Sequence, residues 1–227
     1  MRLLLIRHGQ TPNNVSGALD TAIPGAGLTS LGHTQAAAVP SALDTEQIAD
    51  IYASRLTRTQ LTAAPLAQAR GLQVKITPGL EEISAGMFEM RSDSDSVRGY
   101  VECLANWLHG DLGHSLPGGM TGHEFWQSYD GAVQALAADH DQDSTLAVFS
   151  HGAAIRVYVA LATGLRPGVA DDLWLANTGM GVLEGDPGVG WSLAHWNSTP
   201  LGGAHLMDLR AHDVTGESAE EVEAETS

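Results

Sequence analysis

Four apolar residues, Leu3-Leu4-Leu5-Ile6, run straight into Arg7-His8-Gly9. A run this short, halted by charge, reads as a strand buried on both faces, as in the interior of a parallel sheet. The pattern recurs along the chain. Asp50–Ser54 is a second strand candidate, followed by Arg55-Leu56-Thr57-Arg58, and Gln73–Ile76 a short third. Thr145–Phe149 gives way to Ser150-His151-Gly152, with a helix from Ala153 to about Ala162 close behind. Further helices are expected from Thr29 or Ser30 to about Leu43, across 55–70 with an interruption at Pro65, and over 97–109 and 123–138. Residues 12–28 read as a loop, while Trp174–Leu183 and Trp191–Trp196 read as two strands around Gly185-Asp186-Pro187-Gly188.

Strands alternating with helices predict an α/β fold: a three-layer sandwich with a mainly parallel central sheet, helices on both faces and a small helical cap. The helical stretch 90–140 is too long for a crossover, which places the cap in an insertion at about 87–140 of a single domain spanning 1–212. Residues 213–227 hold six acids and no base, and are expected to form a disordered acidic tail.

Charge and composition narrow the partners. In 227 residues, 27 acids stand against 11 Lys and Arg, a formal charge of −16. Phosphate backbones and anionic membranes want a basic footprint, so neither nucleic acid nor a membrane is an expected partner. No apolar run reaches the ~18 residues of a membrane span, and the N-terminal one ends too early for a signal peptide core. The single cysteine, Cys103, cannot form an internal disulfide and reads as a helix residue rather than a nucleophile. Together these features predict a soluble, cytoplasmic protein.

In a parallel α/β sheet the carboxyl ends of the strands share one edge, where ligands bind. Arg7, His8, Arg58 and His151 would therefore meet, with the amides after Gly152 adding anion-binding capacity at a helix start. Two arginines and two histidines make an oxyanion site, most simply one for a phosphoryl group. Other chemistries lack their signatures. No pair among the ten histidines has zinc-ligand spacing, and neither a Gly-x-x-x-x-Gly-Lys loop nor a Gly-x-Ser-x-Gly elbow occurs. Neither a metal nor a cofactor is expected.

These residues resemble the first branch of the histidine phosphatase superfamily, the group that includes the phosphoglycerate mutases. Leu5-Ile6-Arg7-His8-Gly9-Gln10-Thr11 is similar to the branch signature, with Asn14 where an asparagine helps bind phosphate. Leu28-Thr29-Ser30-Leu31-Gly32, Ser54-Arg55-Leu56-Thr57-Arg58-Thr59, Leu80-Glu81-Glu82-Ile83 with Gly86 and Glu89, and Val148-Phe149-Ser150-His151-Gly152 continue the likeness. The sequence departs from it at Arg55, more often acidic, and at Met90, where glycine is common. The resemblance implies His8 as phosphoryl acceptor, Arg7, Arg58 and Asn14 as phosphate ligands, His151 as charge stabiliser and Glu82 as proton donor. Substrate binding would include Gly152.

Within that family the sequence favours a metal-independent phosphatase acting on a small phosphorylated metabolite through a phosphohistidine. A mutase grips additional anionic groups, yet residues 90–140 hold only Arg91 and Arg98 as basic residues, and Met120-Thr121 stands where mutases carry Glu-Ser. The alternatives are mutase-type phosphoryl transfer and a non-catalytic phosphate-binding sensor or scaffold. Trp107, His109, His114, His123 and Trp126 are expected to line the substrate's approach. A homo-oligomer is compatible with the sequence.

Overall fold

The structure, a computed structural model, describes residues 1–216. Most of the expected acidic tail, 217–227, lies outside the described residues, whereas 213–216 are packed against the domain.

Six strands form one sheet: β1 (Arg2–Arg7), β2 (Ile48–Ala53), β3 (Val74–Ile76), β4 (Thr145–Ser150), β5 (Met180–Asp186) and β6 (Gly190–Asn197). Their spatial order is β3-β2-β4-β1-β5-β6. Pairing is parallel from β3 through β1, and β5 alone runs against the other strands. The sheet is mainly parallel, as expected.

Strand alternation sends successive side chains to opposite faces. Leu3, Leu5, Leu146 and Val148 enter one core, with α4 (Ser94–Leu108), α5 (Gly122–Ala138) and α6 (Gly152–Thr163). Leu4, Ile6, Ala147 and Phe149 enter the other, with α2 (Ser30–Ala42) and α3 (Thr57–Arg70). Strands β1 and β4 are thus apolar on both sides because a helical layer covers both. Helices α4 and α5 pack through aromatics: Trp107 stacks on Phe125 at 5.8 Å, and Tyr129 meets Tyr158 of α6 at 4.7 Å.

Local departures from expectation have identifiable causes. The loop expected at 12–28 begins with a short helix, α1 (Pro12–Ser16), because Thr11 and Asn14 form a reciprocal capping box and Pro12 stands in the first turn. Helix α3 is continuous through Pro65. The carbonyl that loses its donor belongs to Leu61, an exposed residue whose backbone water can serve. Strand β5 begins at Met180, not Trp174, since Thr178 has φ 59°, a left-handed conformation that breaks an extended chain. A short helix, α7 (Pro167–Asp171), follows α6.

The loop after β1 is fixed against α2 by close backbone contact. Gln35 Oε1 accepts from the Gln10 amide at 2.8 Å, and a Cβ at Gly32 would collide with the Gln10 carbonyl. Gly32→Ala is therefore expected to lower the unfolding free energy by about 1–3 kcal/mol, the usual cost of overpacking, and to reduce activity with it. Urea denaturation checks this, and an unchanged midpoint would contradict it.

Candidate active site

Register brings the site together. Arg7 stands opposite Ser150 in the β1–β4 pairing, Ala53 opposite Phe149 in β2–β4. The next residues, His8, Ser54 and His151, consequently emerge side by side at the carboxyl edge. The rings of His8 and His151 lie 5.2 Å apart, centre to centre. Arg7, His8, Arg58, Glu82 and His151 are all buried, and Asn14 is largely so.

His8 Nδ1 lies 2.8 Å from the carbonyl oxygen of Gly9. A carbonyl only accepts, so Nδ1 carries the proton and Nε2 keeps its lone pair. Burial, followed by the neighbouring Arg58 and Arg7 charges, pushes the ring well below its usual pKa, so it is neutral near pH 7. His151 is fixed by two partners. Its Nδ1 accepts from Arg58 Nε at 3.3 Å, and its Nε2 lies 2.8 Å from the Ser54 hydroxyl. It too is pushed well below the normal histidine range, by burial first and then Arg58. Ser54, part of the second strand's motif, thereby orients His151.

Asp20 holds Arg58: the backbone carbonyl accepts from one terminal nitrogen at 2.8 Å, and the carboxylate lies 3.4 Å from the other. Glu89 in turn anchors the loop carrying Asp20, accepting from the amides of Thr21 and Ala22 and from the Thr21 hydroxyl.

Glu82 sits at the amino end of α6. Oε1 accepts from the amides of Ile83 and Ala154, both at 2.9 Å, while Oε2 has one longer contact to the Ala153 amide, 3.3 Å. The helix amides expected to bind an anion directly are thus partly engaged by this carboxyl. Burial raises its pKa, and the Ile83 amide, Arg58, Ala154 and Arg7 oppose without cancelling it.

Several contacts lie beyond the residues singled out in the sequence. The Asn177 side-chain amide donates to the His8 carbonyl at 3.2 Å, from the loop that Thr178 breaks out of strand geometry. Asp213 forms a two-pronged ion pair with Arg7 at 2.6 and 2.5 Å, and accepts from Asn14 Nδ2 at 2.9 Å. Compositional bias in the tail masked that residue. Of the expected pocket-lining residues, Trp107 is fully buried in the core, and exposed His109 bonds Asp171 of α7. Trp107 is thus part of the core rather than a pocket wall. Cys103 is buried, which lifts its thiol to about 11. Among the described residues no group of three or more His, Cys, Asp or Glu could hold a metal ion, and no helix is long and apolar enough to cross a membrane.

Two arginines, two neutral histidines and one protonatable carboxyl are buried together at the carboxyl edge of an α/β sheet, an arrangement able to bind an oxyanion such as a phosphoryl group. The chain belongs to the histidine phosphatase superfamily (branch 1), whose pattern it matches over residues 3–199. It is 36% identical over 92% of its length to the PE-PGRS family protein PE_PGRS11 of Mycobacterium tuberculosis, of which it spans only 38%. It is 30% identical to the adenosylcobalamin/alpha-ribazole phosphatase of Escherichia coli, over 77% of this chain and 83% of that one. It is also 30% identical to a probable phosphoglycerate mutase of Enterobacter, over 94% and 98% of the two chains. Among solved structures it is similar to mycobacterial glucosyl-3-phosphoglycerate phosphatase with VO3. There the TM-score is 0.74 and identity 25%, over 87% of this chain and 99% of that one.

The neutral, buried histidines give a pH prediction. Unfolding restores an ordinary pKa of about 6.5, so below that pH the unfolded chain binds more protons than the native one. Stability from these rings is full above about pH 6.5 and declines as pH falls through it. Glu82, raised on folding, acts in the opposite sense above its ordinary value. The difference between the native chain and His8→Asn isolates the ring. The urea midpoint of the native chain should fall more steeply from pH 7 to 5.5, and parallel curves would refute the assignment.

Proposed function

We propose that this protein is a metal-independent phosphatase that hydrolyses a small phosphomonoester through a phosphohistidine at His8. The observation that carries the proposal is the Nδ1-to-carbonyl bond of His8, which directs an unprotonated Nε2 away from its own backbone within a cationic pocket. Nε2 attacks phosphorus while the bond to the substrate's alcohol oxygen breaks. Arg7, Arg58, Asn14 and the α6 terminus with Gly152 bind the phosphoryl oxygens, and His151, held beside Arg58, steadies the charge spread over them. Glu82 protonates the departing oxygen, the proton residing on Oε2, its less engaged oxygen. Water then attacks the phosphohistidine, Glu82 takes its proton, the P–N bond breaks and inorganic phosphate leaves.

Two observations favour hydrolysis over mutase transfer. Both arginines of the helical insertion are neutralised locally, Arg91 by Asp93 and Arg98 by Asp95. Two apolar side chains in the loops near Arg58 are also about half exposed, Ile23 and Met90, and Asn13 links Met90 to Asp20, whose carboxylate disfavours a second anion. Such an approach suits an uncharged or apolar leaving group better than a second carboxylate or phosphate. The presence of acceptor, clamp and acid together favours an enzyme over a phosphate sensor. The reading includes a cytoplasmic setting, which suits a chain whose one cysteine is a buried free thiol.

Hydrolysis of p-nitrophenyl phosphate in chelator tests the proposal. The native chain should turn over, and His8→Ala should lose at least about a thousandfold in kcat, as for removal of a covalent nucleophile. Equal turnover by both proteins would exclude His8. Glu82→Gln should slow alkyl phosphates at least about tenfold more than the nitrophenyl ester, whose leaving group needs little protonation. Equal losses would remove the acid role. Isomerisation of 3-phosphoglycerate faster than hydrolysis would establish the mutase reading instead.

A further inference from the structure

Residues 213–216 lie across the phosphate-binding residues and hold them as a ligand would. The Asp213 carboxylate receives one hydrogen bond from each terminal nitrogen of Arg7, and a third from Asn14 Nδ2. Thr215 Oγ1 accepts another from Arg7, at 3.0 Å. The Thr215 carbonyl fills the space where a Cβ of Gly152 would lie, and Gly216 passes so close to the Arg7 guanidinium that no side chain fits. The segment is pinned by the Leu175 amide, which donates to the Gly216 carbonyl at 2.9 Å. Three residues assigned to substrate, Arg7, Asn14 and Gly152, are therefore covered by one short stretch of chain.

Hydrogen-bond accounting separates a stand-in from a permanent partner. The guanidinium has five N–H groups. Leu175 O, the two Asp213 oxygens and Thr215 Oγ1 take the four terminal ones. The fifth, on Nε, is buried without a hydrogen-bond partner. A planar carboxylate matches the fork of terminal nitrogens and leaves Nε unserved, whereas a phosphoryl group brings three oxygens to the same cluster. The other arginine already has its own carboxylate in Asp20, so Asp213 is not required to neutralise the pocket as a whole. Only when 213–216 withdraw can Arg7 and Asn14 turn to a phosphoryl group.

We propose that the segment 213–216 is a built-in pseudosubstrate, with the Asp213 carboxylate competing for the phosphate site. The proposal rests on the phosphatase reading, but its test does not depend on turnover. A competitor on the same chain raises KM and the apparent dissociation constant of any phosphoryl mimic by one common factor, set by the seated fraction, and leaves kcat alone.

The experiment uses the full chain with Asp213→Asn, which keeps the side-chain shape, and Asp213→Ala. Two quantities are measured: kcat and KM for p-nitrophenyl phosphate, and the calorimetric affinity for orthovanadate. The expected result in both variants is a fall of at least about fivefold in KM and in the vanadate dissociation constant, by similar factors, with kcat within about twofold. Unchanged vanadate affinity, or weaker affinity with a lower kcat, would overturn the proposal and make Asp213 a positioning partner of Arg7. If the native chain does not hydrolyse the ester, the phosphatase reading fails, and the vanadate affinities still decide for or against the competing carboxylate.

Discussion

Parallel pairing of β1 with β4, with Arg7 opposite Ser150, is the constraint on which the site depends. One residue of slip would turn every side chain of β1 to the other face, sending Leu3 and Leu5 out of one core and Leu4 and Ile6 out of the other. Both faces are fully apolar, so a slip would mismatch two packed layers at once. The same register delivers His8 and His151 to adjacent positions at the sheet edge. Core packing thus sets the distance between the two rings.

Burial then does chemical work. The site lies largely out of water, so charged forms of the histidines are disfavoured and the neutral form of Glu82 is favoured. The arginines reinforce the first effect and oppose the second. Desolvation prevails over them at Glu82, which leaves a protonatable acid in the same buried site as a neutral imidazole. The cationic charge sits on two guanidiniums, Arg7 paired with Asp213 and Arg58 with Asp20. A net charge of −16 would repel phosphate esters at long range, so in the proposed reaction the buried arginines would have to capture them at short range.

Much of this was legible in the sequence because it depends on local pattern. Apolar runs ending at Arg7-His8, Ser54 and Ser150-His151 located the strands, the sheet edge and the side chains that meet there. What stayed hidden depends on contacts far apart in the chain. Asn177 reaches the His8 carbonyl only because Thr178 adopts a left-handed conformation, and a threonine gives no warning of that. Asp213 was lost among neighbouring acids, since composition cannot distinguish one carboxylate with a buried arginine partner from five others. Trp107 carried the opposite error: an aromatic in the insertion suggested a pocket wall, but stacking on Phe125 places it in the core. Asp20 was equally silent, because its role comes from the backbone carbonyl as much as from the carboxylate.

In the proposed mechanism the Gly9 carbonyl selects the tautomer in which Nε2 of His8 accepts phosphorus. The most direct test is phosphorus NMR of protein quenched in alkali during turnover, combined with mass-spectrometric location of the modified residue. A single phosphohistidine at His8, bonded through Nε2, is expected. Phosphorus on Nδ1, on His151, or on no residue while hydrolysis proceeds would contradict it.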